Sequence, residues 1–160
     1  MQKNKSTFLT QAAMIAALYV ILTQFSHMFG LDSHAIQLRF SESLTILPYF
    51  TPAAIPGLFV GCLLANFFAG CLPWDLVFGS IATLLGALGT YALRKFKWLA
   101  PLPPFLANTI IVPFVLAYVY KFNGSIPYFM LTVGIGEFIS CGILGTIFLM
   151  SIEKHAKRLF

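Results

Sequence analysis

The chain has 160 residues, of which 59% are hydrophobic and 9% charged, and its mean hydropathy is +0.86. A soluble globular chain carries about 25% charged residues, so this composition excludes one; the length suits a single domain over 1–160, mostly inside a bilayer. The net charge of +5 is no sign of nucleic acid, because the lysines and arginines stand between apolar runs, where they report membrane topology.

Met1 to Thr7, MQKNKST, reads as a short basic tail, followed by an apolar run from about Phe8 to Phe29. That run is too long for a signal peptide and lacks a small-residue cleavage site, so it predicts a membrane span. Ala12, Ala13, Ala16 and Ala17 form two overlapping small-xxx-small pairs within it. Such pairs let a second helix approach closely, as a docking partner or within the same chain. Gln24 and His27 lie near the outer end of this span.

LDSHAIQLRF, Leu31 to Phe40, is polar enough to lie outside the membrane. A short segment then runs from Glu42 to Thr51 and a longer one from Ala53 to Gly70. Pro48, Pro52 and Pro56, at spacing four, break this stretch. Proline removes a backbone donor and clashes with the preceding turn. In a membrane such a break is tolerated where neighbouring helices or a water-filled cavity satisfy the freed carbonyls. An interrupted apolar segment with an acid at its mouth, Glu42, and a buried amide near its end, Asn66, is thus a candidate ligand site.

CLPWD turns into a span from about Leu76 to Leu93, and RKFK, Arg94 to Lys97, forms a basic loop. PLPP opens the next span, which ends near Tyr120. KFNGS leads to the last, about Ile126 to Ile152, and EKHAKRLF closes the chain. Lys3 and Lys5, RKFK, and Lys154, Lys157 and Arg158 should share the cytoplasmic side. Returning from the N-terminus to RKFK needs an even number of crossings, so the short Glu42–Thr51 segment must cross as well. The expectation is an all-α bundle of six transmembrane helices, the second short and proline-interrupted, with both termini cytoplasmic. Eight of ten basic residues then lie inside, while Asp32, Glu42, Asp75 and Glu137 fall in the outer half. A cavity opening outward would be anionic.

Glu137 lies about 16 Å inside the last span at the helical rise. A carboxylate there costs about 2.5–3.5 kcal/mol on insertion scales, so it must face a partner, water or a ligand. Arg39 and Glu42 in RFSE stand at the outer mouth of the second span. Asn66 and Asn108 are amides inside spans. Trp74 and Asp75 head the fourth span, where tryptophan is either interfacial belt or a stacking wall. The candidate substrate residues are Glu42, Asn66, Trp74, Asp75 and Glu137, with Arg39 and Gln24 beside them. His27, His34 and His155 do not cluster, and Cys62, Cys71 and Cys141 lack ligand spacing. Neither a metal nor a cofactor is expected. GxxxxGK[ST], HExxH and GxSxG do not occur, so the chain reads as a transport subunit without its own ATPase and not as an enzyme.

The stretch LPYFTPAAIPGLFVGCLLAN, with DLVFGSIATLL, PLPP and VGIGEFISCGILG, resembles the QueT family over nearly the whole chain. These are the queuosine-precursor substrate-binding components, or S-components, of energy-coupling factor transporters. The resemblance implies a six-helix component of the bacterial plasma membrane, surrounded by lipid. It would bind a 7-deazaguanine base, queuine or its aminomethyl precursor, from outside. Its partners would be a transmembrane coupling subunit, docked through the alanine pairs, and two cytoplasmic ATPases. A stand-alone facilitator, an S-component for another vitamin-like heterocycle and a structural membrane protein are the competing readings.

Overall fold

The computed structural model describes residues 2–31, 38–121 and 123–154. Asp32, His34, His155, Lys157 and Arg158, which entered the charge and histidine arguments above, lie outside the described residues. Among those described there are helices and turns and no strand. The rods are α1 (Gln2–Met28), a 3-10 helix (Phe40–Tyr49), α2 (Ala54–Phe68), α3 (Pro73–Ala92) and α4 (Leu102–Tyr118). The last rod is continuous: α5 (Ile126–Glu137), a π-helical segment (Phe138–Leu144) and α6 (Gly145–Glu153). Residues 2–7 of the basic N-terminal tail thus belong to α1 and do not form a separate arm.

Four helices are long and apolar enough to cross a membrane: Lys5–Met28, Pro73–Ala92, Lys97–Tyr118 and Ile126–Glu153. Ala54–Phe68 is shorter, and apolar throughout. Large apolar side chains such as Leu9, Ile21, Phe67, Leu85 and Ile110 are exposed on the outside of the bundle. Exposed apolar surface on this scale is what a lipid-facing wall requires. The architecture is that of a membrane helical bundle.

The segment too short to span as an α-helix is a 3-10 helix of 10 residues. At about 2.0 Å rise per residue it reaches about 20 Å, where the same residues in α form would reach about 15 Å. Runs of this length are uncommon, and this one is enclosed on every side. Residues three apart eclipse in such a helix, so three faces result. Leu44 and Leu47 pack with Ile15, Tyr19 and Leu58 of α1 and α2. Ile46 packs with Ala100 and Leu149. Glu42 and Thr45 face the π segment through Cys141.

Helix α1 buries Ala12, Ile15, Ala16, Tyr19, Thr23 and Ser26, a stripe at helical spacing. Ala12 and Ala16 meet Gly57 and Gly61 of α2. A Cβ on Gly57 would stand 2.7 Å from the Ala12 carbonyl oxygen, and one on Gly61 2.9 Å from Tyr19 Cβ. The four alanines therefore do not form one docking face. Ala12 and Ala16 hold α1 against α2 inside the chain, whereas Ala13 and Ala17 are exposed. Adjacent residues on a helix point about 100° apart, so the two overlapping pairs lie on different faces of α1.

The two ends of the bundle differ. At one end Lys97 forms an ion pair with Glu153, and Thr90 Oγ1 donates to the Ala100 carbonyl at 2.8 Å. These contacts bring RKFK and the end of α6 together. At the other end lie Arg39, the α2–α3 turn and the end of α4, around the mouth of an internal chamber.

Candidate functional site: a polar chamber between the helices

Every rod contributes to a polar cluster in the upper half of the bundle, which divides into two layers. Antiparallel neighbours set them: Cys62 lies a turn inward from Asn66 on α2, and Thr83 two turns inward from Asp75 on α3. Val112 and Val133 stand a turn closer to the mouth than Asn108 and Glu137.

The deep layer joins two carboxylates. Tyr19 donates its hydroxyl to Glu42 Oε1. Asn108 Nδ2 donates to Glu42 Oε2 at 3.3 Å and to Glu137 Oε1 at 3.0 Å. Cys141 Sγ donates to Glu137 Oε2 at 3.0 Å, one turn along the same rod. The carboxylates are 2% and 7% exposed, so neither is a solvated surface acid. Their hydrogen-bond partners among the described residues are all uncharged. Nearby, Thr83 Oγ1 donates to Cys62 Sγ at 3.3 Å.

Arg39 dominates the mouth layer. Its Nη1 donates to Asn66 Oδ1 at 3.3 Å, and its Nε is buried with no hydrogen-bond partner among the described residues. Burial works against the guanidinium charge, but Asp75 leads the attractions that outweigh it and hold the Arg39 pKa above its ordinary value. Asp75 Oδ2 accepts from the Tyr120 hydroxyl at 2.9 Å. The Leu72 amide in turn donates to the Tyr120 oxygen at 3.4 Å. Burial, then the Asp75 carboxylate, pushes the Tyr120 phenol above its ordinary range, so it stays a donor.

Arg39, Glu42, Cys62, Asp75, Gly79, Thr83, Asn108, Val112, Val133 and Glu137 line the chamber between these layers. Its free space is ≈ 20 Å³, room for about one water. Larger grooves on the outside, such as the one between Phe78, Ile110 and Phe114, are lined by apolar side chains and suit lipid. The polar chamber is the candidate site.

Of the sequence candidates, Glu42, Asp75, Glu137 and Arg39 line it. Asn66 stands behind Arg39 and holds it. Gln24 turns away, its Nε2 donating to the Ala65 carbonyl at 3.1 Å. Trp74 is exposed and stacks on Phe78 at 6.0 Å. It is no wall of the chamber, because Asp75 faces inward and its helical neighbour must point elsewhere. Tyr19, Cys62, Thr83, Asn108, Tyr120 and Cys141 complete the site and were not among the sequence candidates. A tyrosine amid the apolar α1 run was one usable signal, and the Glu137–Cys141 spacing of one turn another.

Glu42, Glu137 and Cys141 could each turn a ligand atom to one point, with those atoms within 4.8 Å of one another. Of these atoms, Cys141 Sγ donates to Glu137 Oε2, while the Glu42 carboxylate accepts from Tyr19 and Asn108.

An apolar bundle closed around a carboxylate-rich polar chamber is the construction of a membrane protein that handles a polar solute. Comparison with known proteins narrows the class. Residues 9–154 match the QueT transporter family. The queuosine precursor transporter QueT of Lactococcus lactis subsp. cremoris (strain MG1363) is 31% identical over 170 residues, covering 99% of this chain and 97% of that protein. The chain belongs to the QueT family, whose members are transporters and not enzymes. No solved structure matches it significantly.

Proposed function

We propose that this chain is the substrate-binding S-component of an energy-coupling factor importer and takes up a queuosine precursor, a 7-deazaguanine base such as queuine or its aminomethyl precursor. The observation that carries the reading is the chamber: buried carboxylates and a half-buried guanidinium facing one small space inside an apolar bundle. A deazaguanine ring offers adjacent N–H donors beside a carbonyl, and both natural bases carry an amine that is cationic at neutral pH. Acceptors in excess of bases suit such a donor-rich ligand.

In this reading the rods cross the plasma membrane with the mouth outward and the Lys97–Glu153 end cytoplasmic. The basic residues Arg94, Lys95, Lys97 and Lys154 at that end support the orientation. Uptake is driven by a transmembrane coupling subunit and two cytoplasmic ATPases, with Ala13 and Ala17 on the free face of α1 as the docking surface. A bicyclic base needs far more room than the chamber has, so the helices around the mouth part to admit it.

Titration calorimetry on the purified protein in detergent tests the reading. Binding of 7-aminomethyl-7-deazaguanine, with no heat from thiamine or biotin, is the expected result. Absence of binding by both this base and queuine overturns it.

A further inference from the structure

The two layers of the chamber differ in charge. Arg39 and Asp75 both line the chamber, so the mouth layer pairs a cation with an anion and mixes donors with acceptors, although Arg39 also attracts the deeper carboxylates. Gly79 makes room there: a Cβ at that position would stand 3.1 Å from Asn66 Nδ2 and 3.6 Å from Asp75 Oδ1. The missing side chain thus lets α3 approach this point closely, with one donor and one acceptor beside it. Arg39 Nε adds a buried donor without a partner. A neutral ring edge that carries a carbonyl beside N–H groups matches this set.

The deep layer is different. Glu42 and Glu137 are both buried, and Tyr19, Asn108 and Cys141, which donate to them, carry no charge. One Asn108 nitrogen is shared between the two carboxylates. The layer is short of positive charge, and the low dielectric around it strengthens the attraction for any cation that arrives.

We infer that the chamber sorts its ligand by charge: the deep Glu42–Glu137 pair takes the cationic amine of the ligand's arm, and the mouth layer of Arg39 and Asp75, with Asn66 holding Arg39, takes the neutral hydrogen-bonding edge of the ring. The inference rests on the deazaguanine reading above and assigns each part of that ligand to its own residues. The arm enters first and the ring closes the chamber behind it. A base without the cationic arm then meets a matching mouth and an unsatisfied deep layer.

The test compares two bases that differ in this one charge, 7-aminomethyl- and 7-hydroxymethyl-7-deazaguanine, by calorimetry. Wild-type protein should bind the amine at least tenfold more tightly than the alcohol. Glu42→Gln or Glu137→Gln should shrink that ratio to threefold or less, while Asp75→Asn should weaken both bases by similar factors and leave the ratio intact. Equal wild-type affinities for the two bases overturn the assignment and leave the deazaguanine reading standing. So does a ratio that Asp75→Asn abolishes and both glutamine variants preserve. Binding of neither base by wild type removes the reading itself, and the assignment with it. The wild-type comparison needs no variant, so poor folding of a glutamine variant cannot shield the inference.

Discussion

Glu42 and Glu137 come from rods that are far apart in sequence, yet both accept from the same side-chain nitrogen, Asn108 Nδ2, at 3.3 and 3.0 Å. The amide therefore clamps the 3-10 helix, α4 and the last rod together at one buried point. A carboxylate that loses its donor inside a bundle retains the full desolvation penalty, about 1–3 kcal/mol for a neutral group and more for a charged one.

Asn108→Ala should accordingly lower the thermal unfolding midpoint in detergent, and the loss should be smaller in a Glu137→Gln background. Residues in one hydrogen-bond network show interaction energies of about 0.5–3 kcal/mol in such cycles. Strictly additive effects of the two substitutions would show that Asn108 does not link the carboxylates.

Glu137→Gln keeps the side chain's size and removes its charge. Truncating one partner of a buried charged contact costs about 2–5 kcal/mol, so affinity for the aminomethyl base should fall roughly thirtyfold or more. Unchanged affinity in both Glu137→Gln and Glu42→Gln would place the binding site elsewhere.

The split among the alanines gives the proposed docking a test separate from folding. Ala16→Leu must push against Gly61, where a Cβ on the glycine would already be 3.0 Å from Ala16 Cα. Overpacking of this kind costs about 1–3 kcal/mol, and should appear as reduced thermal stability of the isolated protein. Ala13→Leu and Ala17→Leu lie on the exposed face and should leave stability and ligand binding unchanged while preventing co-purification with the coupling subunit. Normal assembly of both exposed-face variants would move the docking surface off α1.

Much of this fold was legible in the sequence because apolar length and the placement of lysine and arginine obey simple membrane rules. The parity of basic loops also led to the expectation that the short Glu42–Thr51 segment crosses. What periodicity could not supply was its form: a 3-10 helix is longer per residue, and its three-residue repeat hides in an apolar run. The acids of the chamber were legible because a carboxylate inside a span needs a reason. Their partners were not, since Tyr19, Thr83, Cys62 and Cys141 are ordinary residues of apolar helices until a neighbouring rod supplies the acceptor. Trp74 misled for a related reason: adjacency to Asp75 in sequence means divergence on a helix.

Orientation has its own check. Phe96 is exposed in the RKFK loop and Lys121 lies at the mouth end. Cys62 and Cys141 are each 1% exposed, so replacing only Cys71 by serine should give a background silent to impermeant maleimide. A cysteine at position 121 should then label in intact cells, and one at position 96 only after the membrane is opened. Labelling of position 96 from outside would reverse the orientation.

The mouth is closed by a tyrosine that belongs to none of the helices it joins. Tyr120, just beyond α4, bonds Asp75 and receives the Leu72 amide, so it ties the end of α4 to the start of α3. Because the folded protein raises the Tyr120 pKa, its contribution is fully present below the ordinary phenol value of about 10. That contribution is lost only as pH climbs through the folded value, and so holds across the physiological range. Tyr120→Phe removes the hydroxyl while keeping the ring in place. If the bond is a latch over the chamber, the variant should take up and release the aminomethyl base several-fold faster, with both rates rising together and the equilibrium affinity changed by less than threefold. Stopped-flow fluorescence measures both rates. A slower release, or a loss of affinity with no change in rates, would make Tyr120 a ligand contact or a structural tie and not a latch.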